Sequence, residues 1–304
     1  MMKDRTGGAG CTEDTRDTPQ DPARRGFVAM TAAAGLAAMT STASAAEMAV
    51  SGRDVLIPTP DGTCDAAFFY PTAGAHPGVL VWTDAFGLRP AFRELGRRLA
   101  AQGYAVLVPN PYYRAAKSPV FGDISGFDFQ NPADRARLQP LMDSLKAAGS
   151  AESDAKAYVG FLLAQPQVDK SKKVGAQGYC MGGPLTVRTA AALPDQVGAG
   201  ASFHGGGLVT DRPDSPHRLA PRIKARMYFA IAASDDEREP DAKDKLREAF
   251  AAAKVPAEIE VYAGTQHGWC VPDMPAQRGH PIYSQPDAER AWSKLLALYR
   301  TALA

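Results

Sequence analysis

The sequence predicts an α/β protein: a mostly parallel sheet of about seven or eight strands, flanked by helices on both faces. Three observations point there. Short uninterrupted apolar runs such as GVLVW (78–82) and YAVLVPN (104–110) fit strands buried on both faces. Between such runs lie stretches with apolar residues at helical spacing, as in AFRELGRRLAAQ (91–102). The residues able to do chemistry fall just after the strand runs, where open parallel sheets hold their ligands.

Taken in order, RDVLI (53–57) and CDAAFFY (64–70), joined by the turn-rich PTPDG, predict an antiparallel hairpin at a sheet edge. GVLVW is the next strand. The helix at 91–102 should stop at Gly103, and YAVLVPN follows as a second buried strand. A polar insertion from Pro111 to about Gln139 leads into helical patterns in LMDSLKAA and AESDAKAYVGFLLAQ. Then come a strand KVGAQGY (173–179), a helix from Met181 to about Leu193, and a strand VGAGASFH (197–204). The strand ARMYFAIAA (225–233), the helix DAKDKLREAFAAAK, the strand AEIEVYAG (257–264) and the helix AERAWSKLLALYRTA close the chain. No internal repeat or low-complexity linker divides this alternation, so residues 46–304 read as a single domain.

The first 45 residues read differently. Residues 1–23 are polar and rich in Gly, Asp, Thr and Pro, a composition that disfavours a packed core. Arg24-Arg25 is followed by the weakly apolar run Phe27–Met39 and the small-residue site Ala43-Ser44-Ala45. A run that short does not span a bilayer, and its order of features predicts a twin-arginine export signal over 24–45 and a periplasmic protein. Loss of Cys11 with that signal would leave Cys64, Cys180 and Cys270, an odd number, so at least one thiol stays free.

Composition excludes several classes. The 34 basic and 33 acidic residues give a net charge of +1, too little field to gather nucleic acid or to coat a membrane surface. Five scattered histidines, with no HExxH or CxxC spacing, predict no metal site, and nothing implies an organic cofactor. The partner expected is a small molecule; the oligomeric state is left open.

The chemistry begins at GYCMGG (178–183), a G-x-C-x-G pattern between a predicted strand and a predicted helix. A turn that projects its central side chain above a sheet needs small residues two positions away on each side, and Gly178 and Gly182 supply them. The helix start beyond it favours a thiolate at Cys180. Two carboxylates, Asp235 and Asp236, follow the strand 225–233, and His267 follows the strand 257–264. Nucleophile, acid and histidine thus occur in the order required for a thiol activated by an imidazole that a carboxylate orients.

GYCMGG, DDEREP, GTQHGW and the long stretch VWTDAFGLRPAFRELGRRLAAQGYAVLVPNPYYR together resemble the dienelactone hydrolase family of α/β-hydrolases. The resemblance implies an α/β-hydrolase fold and a carboxymethylenebutenolidase-like hydrolase of small esters or lactones. It implies a triad of Cys180, His267 and an acid four residues before a proline, which Pro240 makes Asp236. It also implies oxyanion donors at the backbone N–H groups of Ala85 and Met181. A thiol-tuning carboxylate is implied at Asp84, one methylene shorter than the family's usual Glu. The family's substrate-binding arginine four residues after the histidine is replaced by Val271; Arg137, with Arg135 beside it, is the nearest candidate for a second one. His204 is expected at the pocket mouth, and Trp269 and Tyr113, with Tyr112, as apolar walls. The rival reading is an exported, non-hydrolytic thiol or binding protein on the same fold, with Cys270 as the resolving thiol.

Overall fold

The computed structural model describes residues 47–145 and 147–304. The predicted export signal at 24–45 lies outside the described residues. Within them eight strands form one sheet: β1 (Val50–Thr59), β2 (Gly62–Pro71), β3 (Gly78–Trp82), β4 (Ala105–Pro109), β5 (Val174–Tyr179), β6 (Val197–Phe203), β7 (Arg226–Ala232) and β8 (Ala257–Tyr262). Their spatial order is β1-β2-β4-β3-β5-β6-β7-β8. β2 runs antiparallel to both β1 and β4, and every pair from β4 to β8 is parallel. The edge hairpin and the parallel body are those the apolar runs predict.

The helices are α1 (Pro90–Ala101), α2 (Pro132–Asp143), α3 (Ser150–Ala164), α4 (Gly182–Ala192), α5 (Ala233–Arg238), α6 (Ala242–Ala252) and α7 (Gln285–Ala302). Alternation along the strands feeds two cores. Val79, Val81, Val106 and Val108 pack on one face with Phe92 and Leu99 of α1 and Trp292, Leu295 and Tyr299 of α7. Leu80, Trp82, Ala105 and Leu107 point the other way, against Tyr158, Val159 and Leu162 of α3. Further along that face, Val187 and Ala190 of α4 and Leu246 and Phe250 of α6 continue the core. Each strand is therefore apolar at consecutive positions because both of its sides are covered.

Three local elements depart from the sequence reading. α2 begins inside the stretch read as a polar insertion: Asn131 caps it by accepting from Ala133 N–H at 2.9 Å, and Pro132 occupies the first turn. A one-turn-and-more 3₁₀ helix spans Pro216–Arg222. The third, α5, starts directly where β7 ends, and it decides which carboxylate faces the histidine.

Candidate active site

Cys180 sits on the turn between β5 and α4 with φ +52, the left-handed conformation that a non-glycine residue adopts only under constraint. Its N–H donates to the Phe203 carbonyl of β6 at 3.0 Å, and its carbonyl accepts from Gly183 N–H at 3.1 Å. The flanking glycines are required by close backbone approach. A Cβ on Gly178 would stand 1.9 Å from the Gly182 carbonyl oxygen, and one on Gly182 would stand 2.6 and 2.7 Å from the carbonyls of Trp82 and Thr83. Met181 is the N-cap residue of α4, so its N–H has no intrahelical acceptor and points from the positive end of the helix. Ala85 follows β3 on the neighbouring loop and lines the same cavity as Cys180. Tyr112, fully buried, braces this pair from behind: its hydroxyl donates to the Ala85 carbonyl at 2.7 Å and lies 3.2 Å from Met181 Sδ.

His267 lies in the loop after β8. Its Nδ1 is 2.8 and 3.0 Å from the two carboxylate oxygens of Asp235. The sequence expectation of Asp236 is corrected here. The first residues of α5 are zipped to the histidine loop by Ser234 N–H to the Thr265 carbonyl (3.2 Å), Ala233 N–H to Thr265 Oγ1 (3.3 Å) and His267 N–H to Ser234 Oγ (2.9 Å). That fixes the helical phase. Asp235 turns inward beneath the imidazole, and Asp236, about 100° further round, faces outward to Lys243 Nζ at 2.7 and 2.9 Å. Asp235 also accepts from Arg238 Nη2 at 2.6 Å.

The electrostatics of the ring follow from its neighbours. Burial works against a charged imidazole. The negative Cys180 on one side and the Asp235 carboxylate on the other, each also hydrogen-bonded to the ring, outweigh it and raise the His267 pKa to about 10. At neutral pH the ring therefore favours its charged imidazolium form, held between the sulfur of Cys180 and the Asp235 carboxylate.

Asp84 lies in the cavity wall but does not bond the thiol, as the resemblance implied it would. Both of its oxygens are engaged. Arg89 donates to them at 2.6 and 2.9 Å, and Phe86 N–H donates to Oδ1 at 2.9 Å. Arg89 is itself 3% exposed and forks a second time onto Asp273 at 2.8 and 2.7 Å. This buried guanidinium ties the loop after β3 to the segment following His267. Its charge is held by its two carboxylates against the cost of burial.

The remaining expectations are mostly corrected. His204 is not at the pocket mouth. It is fully buried, with φ +39, its ring edge-to-face with His267 at 4.9 Å between centroids, and burial together with the charge of His267 keeps it neutral. Trp269 is core, stacked on Tyr262 at 4.4 Å, because the chain turns back under β8 after the histidine. Tyr113 points away from the cavity, its hydroxyl shared by Thr59 and Asp154, each at 2.8 Å. Arg137 is exposed, pairs with Asp134 at 3.3 Å and covers the outer side of Phe121. Arg135 instead holds the carbonyls of Phe129 and Gln130 at 2.9 and 3.0 Å.

The cavity above Cys180 has a volume of about 660 Å³. Sequence reading missed its cations, Arg238 and Arg278, and its apolar wall of Phe127, Phe129, Met274 and Ile282. These come from the insertion after β4, from α5 and from the long loop before α7, and no motif marks them. Arg278 makes no ion pair among the described residues. Among the three described cysteines, all free, only Cys180 reaches this cavity. Cys64 and Cys270 belong to cores on opposite faces of the sheet, and burial pushes the Cys64 thiol up to about 12 and the Cys270 thiol well above its ordinary value.

A parallel sheet entered by an antiparallel hairpin, a turn carrying Cys180 after β5 and a histidine after β8 define the α/β-hydrolase fold. Comparison with known proteins narrows the class. The dienelactone hydrolase family profile matches residues 64–303, and the chain belongs to that family. A "Putative carboxymethylenebutenolidase" of Methylorubrum extorquens is 28% identical over 273 residues, covering 87% of this chain and 86% of its own. One of the same name from Synechocystis is 26% identical, over 84% of this chain and 100% of its own. Among solved structures, a dienelactone hydrolase-like promiscuous phosphotriesterase from metagenomic libraries superposes with a TM-score of 0.68 at 25% identity, over 84% of this chain and 100% of its own. A Klebsiella pneumoniae structure, "Putative Dienelactone Hydrolase", gives 0.69 at 24%, over 83% of this chain and 99% of its own, a likeness of fold. The protein is a dienelactone hydrolase-like enzyme of the ester and lactone hydrolase class.

Proposed function

We propose that the protein hydrolyses a small ester or lactone through a Cys180–His267–Asp235 triad and an acyl-thioester. The observation that carries this reading is the imidazole of His267, held at Nδ1 by Asp235 and raised in pKa by the neighbouring Cys180. Cys180 Sγ attacks the acyl carbon, and the oxyanion is received by the N–H groups of Ala85 and Met181. As the C–O bond breaks, the leaving oxygen takes the proton of the imidazolium. Water, deprotonated by the now neutral His267, attacks the thioester; the acid is released and the thiolate and imidazolium re-form. A thiolate expels an alkoxide more readily than an amine, which favours esters and lactones over amides.

The thiol-redox alternative lacks a partner sulfur among the described residues, where no other cysteine lines the cavity. The test is turnover of a panel of aryl esters and enol-lactones, repeated with Cys180→Ser and Cys180→Ala. Loss of turnover in both variants supports the reading, and turnover that is absent from the start or indifferent to both changes refutes it. We propose in addition that residues 24–45 export the protein to the periplasm. Arg24→Lys with Arg25→Lys should then block export, and unchanged localisation would refute that route.

A further inference from the structure

One wall of the cavity is aromatic beyond what core packing requires. Phe86, next to the Ala85 amide, meets Phe127 nearly edge-on at 4.9 Å and 81°. Phe121 meets both of these edge-on, at 5.6 and 5.8 Å. Those three rings are buried, and packing accounts for them. Phe129 extends the cluster toward the opening, 4.9 Å from Phe127 and 5.5 Å from Phe86, yet it is 42% exposed. Few large apolar side chains among the described residues share that exposure.

The segment carrying Phe129 is fastened rather than loose. Arg135 holds the carbonyls of Phe129 and Gln130, Asp128 Oδ1 accepts from Gln130 N–H at 2.8 Å, and Asp128 N–H donates to Asp134 at 3.1 Å. An exposed ring fixed in this way leaves aromatic surface open beside the nucleophile. Met274 and Ile282 line the same cavity, and a thioether is itself a good neighbour for an aromatic ring. A volume of about 660 Å³ is ample for a ring-bearing ligand.

Resting on the hydrolase reading above, we propose that Phe129 is a specificity residue and that the natural substrate is an ester or lactone bearing an aromatic ring, which lies on the Phe127–Phe129 wall. The ring gains an offset or edge-on contact that a saturated ring of similar size does not.

Two matched pairs test this by titration of released acid: ethyl phenylacetate against ethyl cyclohexylacetate, and benzyl acetate against cyclohexylmethyl acetate. In at least one pair the aromatic member should show a KM lower by about three- to tenfold. Phe129→Ala should remove that difference and Phe129→Tyr should keep it. Equal KM values in both pairs, or a difference that survives Phe129→Ala, would overturn the proposal. A binding arm separates it from the catalytic reading: calorimetry of phenylacetamide and cyclohexylacetamide with Cys180→Ala protein, with and without Phe129→Ala. If no ester is turned over but phenylacetamide binds more tightly in a Phe129-dependent way, the subsite stands and the hydrolase reading falls. If esters are hydrolysed without discrimination and the two amides bind alike, the subsite alone falls.

Discussion

Arg89 and Asp84 form a bidentate ion pair, 2.6 and 2.9 Å, with both side chains almost wholly shielded from solvent. Breaking such a pair from one side strands a buried charge. Arg89→Met should therefore destabilise the protein by about 3–5 kcal/mol in urea unfolding. The double variant Arg89→Met/Asp84→Leu should recover much of that loss, because the only charge left without its partner is Asp273, which is 36% exposed and open to water. Equal stabilities for the wild type and Arg89→Met would contradict the arrangement.

The two adjacent carboxylates should behave very differently. Asp235→Asn removes the charge behind His267 and should lower kcat by about 10²-fold or more, with little change in KM. Asp236→Asn loses only a partly exposed pair with Lys243 and should stay within about twofold in kcat, with about 1 kcal/mol of stability lost. Steady-state kinetics on the two variants decides it; the reverse ranking would restore the choice made from the proline spacing.

This pair marks where the sequence stops being legible. The strands at 78–82 and 105–109 could be read because burial on both faces forces continuous apolar runs. Cys180 could be read because Gly178 and Gly182 are demanded by backbone contacts under 3 Å. Which carboxylate faces His267 could not: it depends on α5 beginning at Ala233, which hydrogen bonds donated to Thr265 and received from His267 settle across more than 30 residues of chain. Asp84 lies just after β3, but its pairing with Arg89 rather than with the thiol arises from the fold and not from any motif. Phe129, Arg238 and Arg278 converge from separate segments, and pattern alone gives no reason to group them.

Protonation of His267 has a definite sign. Its folded pKa of about 10 lies above the ordinary 6.5, so its contribution to stability is complete below pH 6.5 and is lost as pH rises toward 10. Ring proton resonances of His267 should titrate near 10 in the wild type and move down in Cys180→Ala, where the negative neighbour is gone. The rate should likewise fall as pH passes about 10, when the acid that protonates the leaving oxygen is lost. A ring titrating near 6.5 in both proteins would contradict the thiolate–imidazolium pair.

The elbow tolerates no side chain at Gly178. With Gly182 O only 1.9 Å from an added Cβ, Gly178→Ala must shift the backbone that aims Cys180. Activity should be lost and the thermal midpoint lowered, whereas Gly160→Ala, open to solvent inside α3, should leave activity unchanged and raise the midpoint slightly through its better helix propensity. A fully active Gly178→Ala protein would refute this geometry.

The central claim, a covalent acyl group on Cys180, is tested most directly by rapid acid quench of the enzyme with p-nitrophenyl acetate, followed by peptide mass mapping. One acetyl group should appear on the peptide carrying Cys180 within the first turnover. It should be absent from Cys180→Ala protein, which should also lack turnover. An unmodified Cys180 peptide during steady hydrolysis, or continued turnover by Cys180→Ala, would contradict the account.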